Sequence, residues 1–491
     1  FRSLFELDWE EEDATTLTPF RLLEARNMAI YRTSSLMKGY KHNMTLSRNH
    51  FPAHFRWGSA TSSYQIEGAA DTDGKGKSIW DTFSHTPGKV KGGDTGDVAC
   101  DHYHLWEQDL NLMQDLGLNS YRFSISWPRV LPAGKGTVNA KGLEFYDRLV
   151  DGLLQRGLDP FVTLYHWDLP QALQDTGGWV NRETAFHFAD YAAVVSERLG
   201  DRVKHWITHN EPFCTAMLGH LYGAHAPGIR DLKAALQTLH HVYLSHGLAV
   251  PVLRQNSAQD AQVGITLSLH PVYPFTDQPE DLEAARRHDG FRNRWYLDPL
   301  YGRGYPQDTW ERYGASVPDV QEGDLQTISA ELDFLGVNYY FREVVQHAPG
   351  EGLFDVREVH LDGVERTYFD WEVFPEGLTA LLTRVHEEYQ PKKLFITENG
   401  ATYQDEMVGG VVQDEDRRRF FERHLQASLD VLKKGIPLEG YFAWSLLDNF
   451  EWAEGYDKRF GLVHVDFQTL TRTLKRSGEW YRDFLRVPVV P

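Results

Sequence analysis

Eight apolar, strand-like runs recur along the chain with helix-period segments between them, and few folds accommodate that alternation. The runs are 55–60, 120–127, 159–167, 203–210, 262–270, 333–340, 393–398 and 440–446. The helical segments are 104–117, 140–157, 182–200, 232–254, 376–389, 414–435 and 471–485. Gly117, Gly157, Gly200 and Gly435 each follow a last apolar turn, where a left-handed residue stops a helix. Runs such as Lys393-Leu394-Phe395-Ile396 read as strands buried in a parallel sheet. Eight strands with crossovers is the count of a (β/α)8 TIM barrel. A doubly wound open sheet is the rival, but no glycine-rich dinucleotide fingerprint follows the first strand. The predicted fold is therefore α/β, a single (β/α)8 TIM barrel with elaborated βα loops over residues 47–491.

Residues 1–46 do not share this alternation. They pass from acidic, Glu10 to Asp13, to basic, Arg32, Lys38 and Lys41, and 20–37 has the spacing of an amphipathic helix. They form an N-terminal extension of uncertain structure: a docked segment, a tail, or sequence ahead of a start at Met44. Their first residues lack the basic start and apolar middle of a signal peptide, and no run is long enough to span a bilayer. The sequon Asn43-Met44-Thr45 is read as chance. With only two cysteines, Cys100 and Cys214, no disulfide framework is implied, and the expected location is the cytoplasm. The net charge of −20 argues against nucleic acid or an anionic membrane as partner.

In a barrel all strand C-termini open on one face, so residues distant in sequence meet there. The first strand leads into Gln65, the second holds Arg122, and the third ends at His166-Trp167. The fourth ends at Asn210-Glu211, the sixth at Asn338-Tyr339-Tyr340, the seventh at Glu398, and the eighth runs through Trp444 towards Glu451-Trp452. Polar and aromatic groups at nearly every strand end suit a ligand with polar edges and apolar faces, which describes a sugar. The 14 Trp and 23 Tyr fit this reading, although Trp127, Trp179 and Trp206 are better placed as barrel core.

Two carboxylates stand across this rim, Glu211 and Glu398. Glycosidic bond cleavage needs such a pair: one acid to protonate the leaving oxygen and one carboxylate to meet the oxocarbenium-like carbon. Arg122 and Tyr340 are suited to keep Glu398 ionised, which leaves Glu211 as the protonated partner.

At these residues the chain closely resembles the family 1 glycoside hydrolases, the β-glucosidase family, from about Ser47 to its end. The resemblance rests on Phe55-Arg56-Trp57-Gly58-Ser59-Ala60-Thr61-Ser62-Ser63-Tyr64-Gln65-Ile66-Glu67-Gly68 and Tyr121-Arg122-Phe123-Ser124-Ile125-Ser126-Trp127-Pro128-Arg129. Asn210-Glu211-Pro212, Thr397-Glu398-Asn399-Gly400 and Trp444-Ser445-Leu446-Leu447-Asp448-Asn449-Phe450-Glu451-Trp452 complete it. It implies a retaining β-glycosidase acting on terminal β-glucosyl residues of small glycosides or oligosaccharides, with β-galactosyl and β-fucosyl residues as companions. Glu398 then resembles the family's nucleophile and Glu211 its acid/base. Gln65, His166, Asn210, Glu451 and Trp452 match the glycone-binding positions, and Trp444 the platform under the ring. Trp167 and Phe460 match the pocket's completion and wall, and Asn338 and Tyr340 the groups that orient the carboxylates.

Glu451 would repel a phosphate, so the resemblance favours a glycone without one. Myrosinase-like members carry Gln at the acid/base position, whereas Glu211 is intact. Other functions weighed are a transglycosidase, which shares the glycosyl-enzyme, and a non-catalytic sugar-binding protein on the same barrel. No metal and no cofactor is expected: the 22 His show no ligand spacing. His102, His104, His240 and His241 are read as surface or packing residues, and Cys214 as packing.

Overall fold

Eight parallel strands close on themselves in the computed structural model, which describes residues 46–488. They are β1 (Arg56–Ala60), β2 (Ser120–Ser124), β3 (Asp159–Tyr165), β4 (His205–Asn210), β5 (Gln262–Ser268), β6 (Phe334–Asn338), β7 (Leu394–Asn399) and β8 (Leu438–Trp444). Around the ring the order follows the chain, and β1 pairs with both β2 and β8 to shut it. The predicted (β/α)8 barrel is present. The acidic run, the segment 20–37 and the sequon at Asn43 lie outside the described residues. Among the described residues no helix is long and apolar enough to cross a membrane.

The main crossover helices are α1 (His102–Asp115), α2 (Ala140–Gln155), α3 (Glu183–Leu199), α4 (Leu232–Asn256), α5 (Pro279–Asp289), α6 (Pro375–Tyr389), α7 (Glu415–Lys433) and α8 (Arg476–Leu485). In α2 the buried Phe145, Tyr146, Leu149, Val150 and Leu153 make one apolar stripe against the barrel. Gly117, Gly157 and Gly435 have positive φ, as expected of helix stops. Gly200 does not: its φ is −68°, and it is needed because a Cβ would lie 2.3 Å from the Asn256 carbonyl oxygen.

Other differences have local causes. Trp127 opens a short helix, Trp127–Val130, because Pro128 has no N–H for the sheet and suits a first helical turn. His166 and Trp167 lie just past the end of β3. The start of 471–485 is a strand, Arg472–Leu474, paired with Val463–Val465. The β5–β6 crossover holds α5 and three further α-helices, Trp295–Leu300, Gln307–Tyr313 and Asp324–Ile328, whose period Pro299, Gly302, Gly304, Pro306 and Gly314 interrupt.

Inside the barrel, side chains stack in layers set by the two-residue period of a strand. Phe161, Phe334, Phe395 and Phe442 form the floor, with ring centroids 4.8 to 5.2 Å apart for Phe161–Phe442, Phe161–Phe395 and Phe334–Phe395. Above them come Thr266, Gly336 and Thr397, and then the polar rim. Gly336 makes room in this middle layer: a Cβ there would lie 2.3 Å from Thr266 Oγ1 and 2.8 Å from Thr397 Cγ2. Both neighbours are β-branched threonines with restricted χ1, so they cannot swing aside freely. Gly336→Ala is therefore expected to cost about 1–3 kcal/mol by overpacking, read as a lower Tm in thermal unfolding.

Candidate active site

Both candidate carboxylates follow irregularities in the sheet. The β4–β5 register shifts between Ile207 and Asn210, and the β6–β7 register shifts between Ile396 and Glu398. Such shifts bend a strand and re-aim the side chain that follows. Glu211 follows directly with φ +46°, and Trp167 and Trp452 also have positive φ, +76° and +49°. Bulky residues rarely adopt this backbone, and three of those that do, Trp167, Glu211 and Trp452, belong to this pocket. β5 and β6 separate β4 from β7, so the two carboxylates stand three strands apart rather than opposite.

A continuous chain of hydrogen bonds links them. Arg122, fully buried on β2, donates to Glu398 Oε1 at 2.6 Å, to the Thr397 carbonyl at 3.2 Å and to Asn210 Oδ1 at 2.6 Å. Asn338 donates from Nδ2 to the same Asn210 oxygen at 3.1 Å and to Glu211 Oε1 at 2.7 Å. Thr397 Oγ1 donates to Asn338 Oδ1 at 2.7 Å, which fixes the amide so that Nδ2 faces the acids. Tyr340 donates to Glu398 Oε2 at 2.6 Å. Cys214 donates its thiol to Glu211 Oε2 at 3.0 Å, a contact beyond the packing role expected of it.

Removal from water pushes the Glu398 carboxyl up to about 7; Arg122 pulls against this, the charge of Glu211 adds to it, and Tyr340 pulls against it. Arg122 and Tyr340 both favour the ionised form of Glu398, and burial opposes them. Burial also raises the Glu451 carboxyl well above the usual range, with the charges of Glu398, Glu454 and Glu211 adding to the rise.

The other expected residues converge here. Gln65 Nε2 lies 2.8 Å from the Phe450 carbonyl, 3.1 Å from Asn449 Oδ1 and 3.4 Å from Glu451 Oε2. Asn210 Nδ2 meets His166 Nε2 at 3.0 Å, and burial holds His166 neutral, so its Nδ1 carries the hydrogen and, among the described residues, has no hydrogen-bond partner. Trp167 Nε1 donates to the Asn210 carbonyl at 2.9 Å. The His166 ring lies nearly parallel to the rings of Trp444 and Trp452, with centroids 5.9 Å from each. Phe460 lies 6.1 Å from Tyr340 and 6.1 Å from Trp371. The loop carrying Glu451 and Trp452 is anchored by Asp448, which accepts from Lys475 at 2.6 Å and Arg459 at 2.7 Å.

A model of glycosyl hydrolase family 1 matches residues 47–488. Beta-glucosidase A of Thermotoga maritima is 48% identical over 441 residues, 89% of this chain and 98% of that protein. The bifunctional beta-D-glucosidase/beta-D-fucosidase of Bifidobacterium breve is 42% identical over 459 residues, 89% of this chain and 98% of that protein. A T. maritima family 1 glycoside hydrolase, solved with a cyclophellitol analogue transition state mimic, superposes with a TM-score of 0.87 at 48% identity, covering 89% of this chain and 98% of that one. The chain belongs to glycosyl hydrolase family 1.

Several parts of this family 1 site escaped sequence reasoning. Trp371 and Phe369, in the β6–α6 loop, stack 4.5 Å apart, and Trp371 packs 5.2 Å from Tyr340, extending the aromatic wall outward. No strand end marks them, so neither period nor turn chemistry could point to them. Trp80, from the short helix Ile79–Ser84, packs 4.6 Å from Trp452. Thr397 and Asn449 lay within quoted motifs, and their hydrogen-bonding capacity was the available signal. Trp127, Trp179 and Trp206 are fully buried, as expected of core.

Of the histidines set aside as ligands, His102 and His240 are buried and paired with Asp109 and Asp324, at 2.8 and 2.9 Å. His288, Glu343 and Glu358 come within 4.8 Å of one another, but Arg292 donates to Glu343 at 2.8 Å and supplies the positive charge itself.

Tyr340→Phe removes a donor from the Glu398 carboxylate while keeping the ring. Glu398 is then expected to titrate about one pH unit higher, followed by carboxylate infrared difference spectra with Glu398→Gln as the assignment control.

Proposed function

We propose that this family 1 chain is a retaining β-glucosidase of small, unphosphorylated β-glucosides, acting on β-fucosides and β-galactosides as well. The observation that carries this reading is the Glu398–Arg122–Asn210–Asn338–Glu211 chain, set beside Gln65, His166, Trp444, Glu451 and Trp452. Residues 47–491 are the catalytic domain in this reading. The relatives' names, beta-glucosidase and beta-D-glucosidase/beta-D-fucosidase, support the choice of sugars.

Glu398, once ionised, attacks the anomeric carbon, and the bond to the aglycone oxygen breaks as Glu211 gives that oxygen its proton. The product is a glycosyl ester of Glu398 and a free alcohol. Glu211, now a carboxylate, takes a proton from water, whose oxygen attacks the same carbon and releases Glu398. Two displacements return the sugar with its original β configuration, which requires the carboxyls to be about 5–5.5 Å apart. Arg122 and Tyr340 offset charge on Glu398, and Asn338 orients Glu211. Gln65, Glu451 and the free Nδ1–H of His166 provide hydrogen bonds for the sugar hydroxyls, while Asn210, held by Arg122 and Asn338, faces the 2-hydroxyl. Trp444 lies under the ring, with Trp167, Trp452 and Phe460 closing the pocket around it.

Glu398→Gln is expected to lower kcat on an aryl β-glucoside by roughly four orders of magnitude or more. Glu211→Ala should impair substrates with poor leaving groups far more than activated ones, and azide should restore turnover by forming the β-glucosyl azide. Proton NMR of the first sugar released by the wild type should show the β-anomer; the α-anomer as first product would rule out retention.

A further inference from the structure

We propose that Cys214 is a positioning residue for Glu211, its thiol holding the carboxyl from behind the sugar pocket and favouring the ionised form that accepts a proton from water. This rests on the reading of Glu211 as the acid/base. β4 ends at Asn210, and after Glu211 the chain turns into a π-helical segment, Cys214–Leu221. That turn is closed by the Cys214 N–H donating to the Glu211 carbonyl at 2.9 Å, which brings the thiol beneath the Glu211 side chain.

Among the described residues, Glu211 Oε1 accepts from Asn338 and Oε2 from Cys214, so each oxygen has one donor and the carboxyl cannot rotate freely. Burial, with the negative charge of Glu211 adding, keeps the thiol protonated, so toward a carboxylate it can only donate. The other charged and titratable groups facing this corner are Glu398 on β7, Tyr340 after β6, Glu451 after β8 and Arg292 from the β5–β6 crossover. Arg292 lies over the Phe213 ring at 4.0 Å and donates to Glu343, away from Glu211.

A thiol is a weak donor. It can fix the direction of the carboxyl while leaving its proton available for delivery to the leaving oxygen. A strong donor in the same place would favour the base at the expense of the acid.

The test is the pH dependence of kcat/KM on a phenyl β-glucoside for the wild type, Cys214→Ala and Cys214→Ser. Loss of the donor in Cys214→Ala should move the basic limb upward by about half to one pH unit. Cys214→Ser, which keeps a donor, should bring it back to or below the wild-type position. A basic limb in Cys214→Ala that superposes on the wild type overturns the proposal, since packing alone would change activity without moving the limb.

A second readout does not depend on the folding of that variant. Cys100→Ser leaves Cys214 as the only thiol of the chain. Its S–H infrared stretch should lie below the free-thiol frequency and rise when Glu211→Ala is added; an unmoved band overturns the proposal. If azide fails to restore Glu211→Ala, the acid/base reading itself falls. If azide restores it and the Cys214→Ala limb stays in place, only the role of Cys214 falls.

Discussion

A single buried guanidinium organises the pocket. Arg122 sits on β2 with no solvent exposure and binds one oxygen of Glu398, the carbonyl of Thr397 and the side-chain oxygen of Asn210. It thereby ties three strands, β2, β4 and β7, at the level where the barrel interior gives way to the sugar site. An unpaired cation there would be strongly unfavourable, and so would the carboxylate without it. Breaking a buried pair of this kind costs about 3–5 kcal/mol, because the partner left behind keeps its desolvation penalty. The pair is better understood as a device that fixes geometry than as a source of net stability. Even with Arg122 in place, burial holds Glu398 well above an ordinary carboxylate, so the acid stays poised to change its charge near neutrality.

The barrel supports this arrangement by dividing labour along its axis. Four phenylalanines fill the floor, threonines and Gly336 form a thin middle layer, and above them stand Arg122 and the two carboxylates. The middle layer does more than fill space, since Thr397 orients Asn338, and Asn338 orients Glu211. Bulges in β4 and β7 and positive φ at Trp167, Glu211 and Trp452 mark where regular strand geometry is given up. Local strain concentrated at a functional rim is tolerable because the layers beneath are tightly determined.

Much of this was legible in the sequence. The eight runs gave the barrel because buried parallel strands have a composition that surface segments lack. The strand ends gave the site because one topology gathers them all. Glu211, Glu398, Arg122, Asn338 and Tyr340 were therefore found by position and by resemblance, and the structure brings them within hydrogen-bonding range of one another. What was not legible depends on three-dimensional burial. The balance at Glu398 could not be judged from its neighbours alone, since the penalty of desolvation has no sequence signature. Cys214 was taken for packing because a thiol three residues from an acid says nothing of where it points. Trp371 and Phe369 come from a long loop whose path no period encodes, and the helices between β5 and β6 were hidden by Pro and Gly at their joints.

The proposed mechanism turns on the covalent bond that Glu398 forms with the sugar. The most direct measurement is trapping with an activated 2-deoxy-2-fluoro-β-glucoside, which slows release of the glycosyl-enzyme, followed by mass spectrometry of the intact and digested protein. One added fluoroglucosyl group is expected, carried by the peptide containing Glu398 and absent from Glu398→Gln. A label on another residue, or inactivation with no added mass, would contradict it.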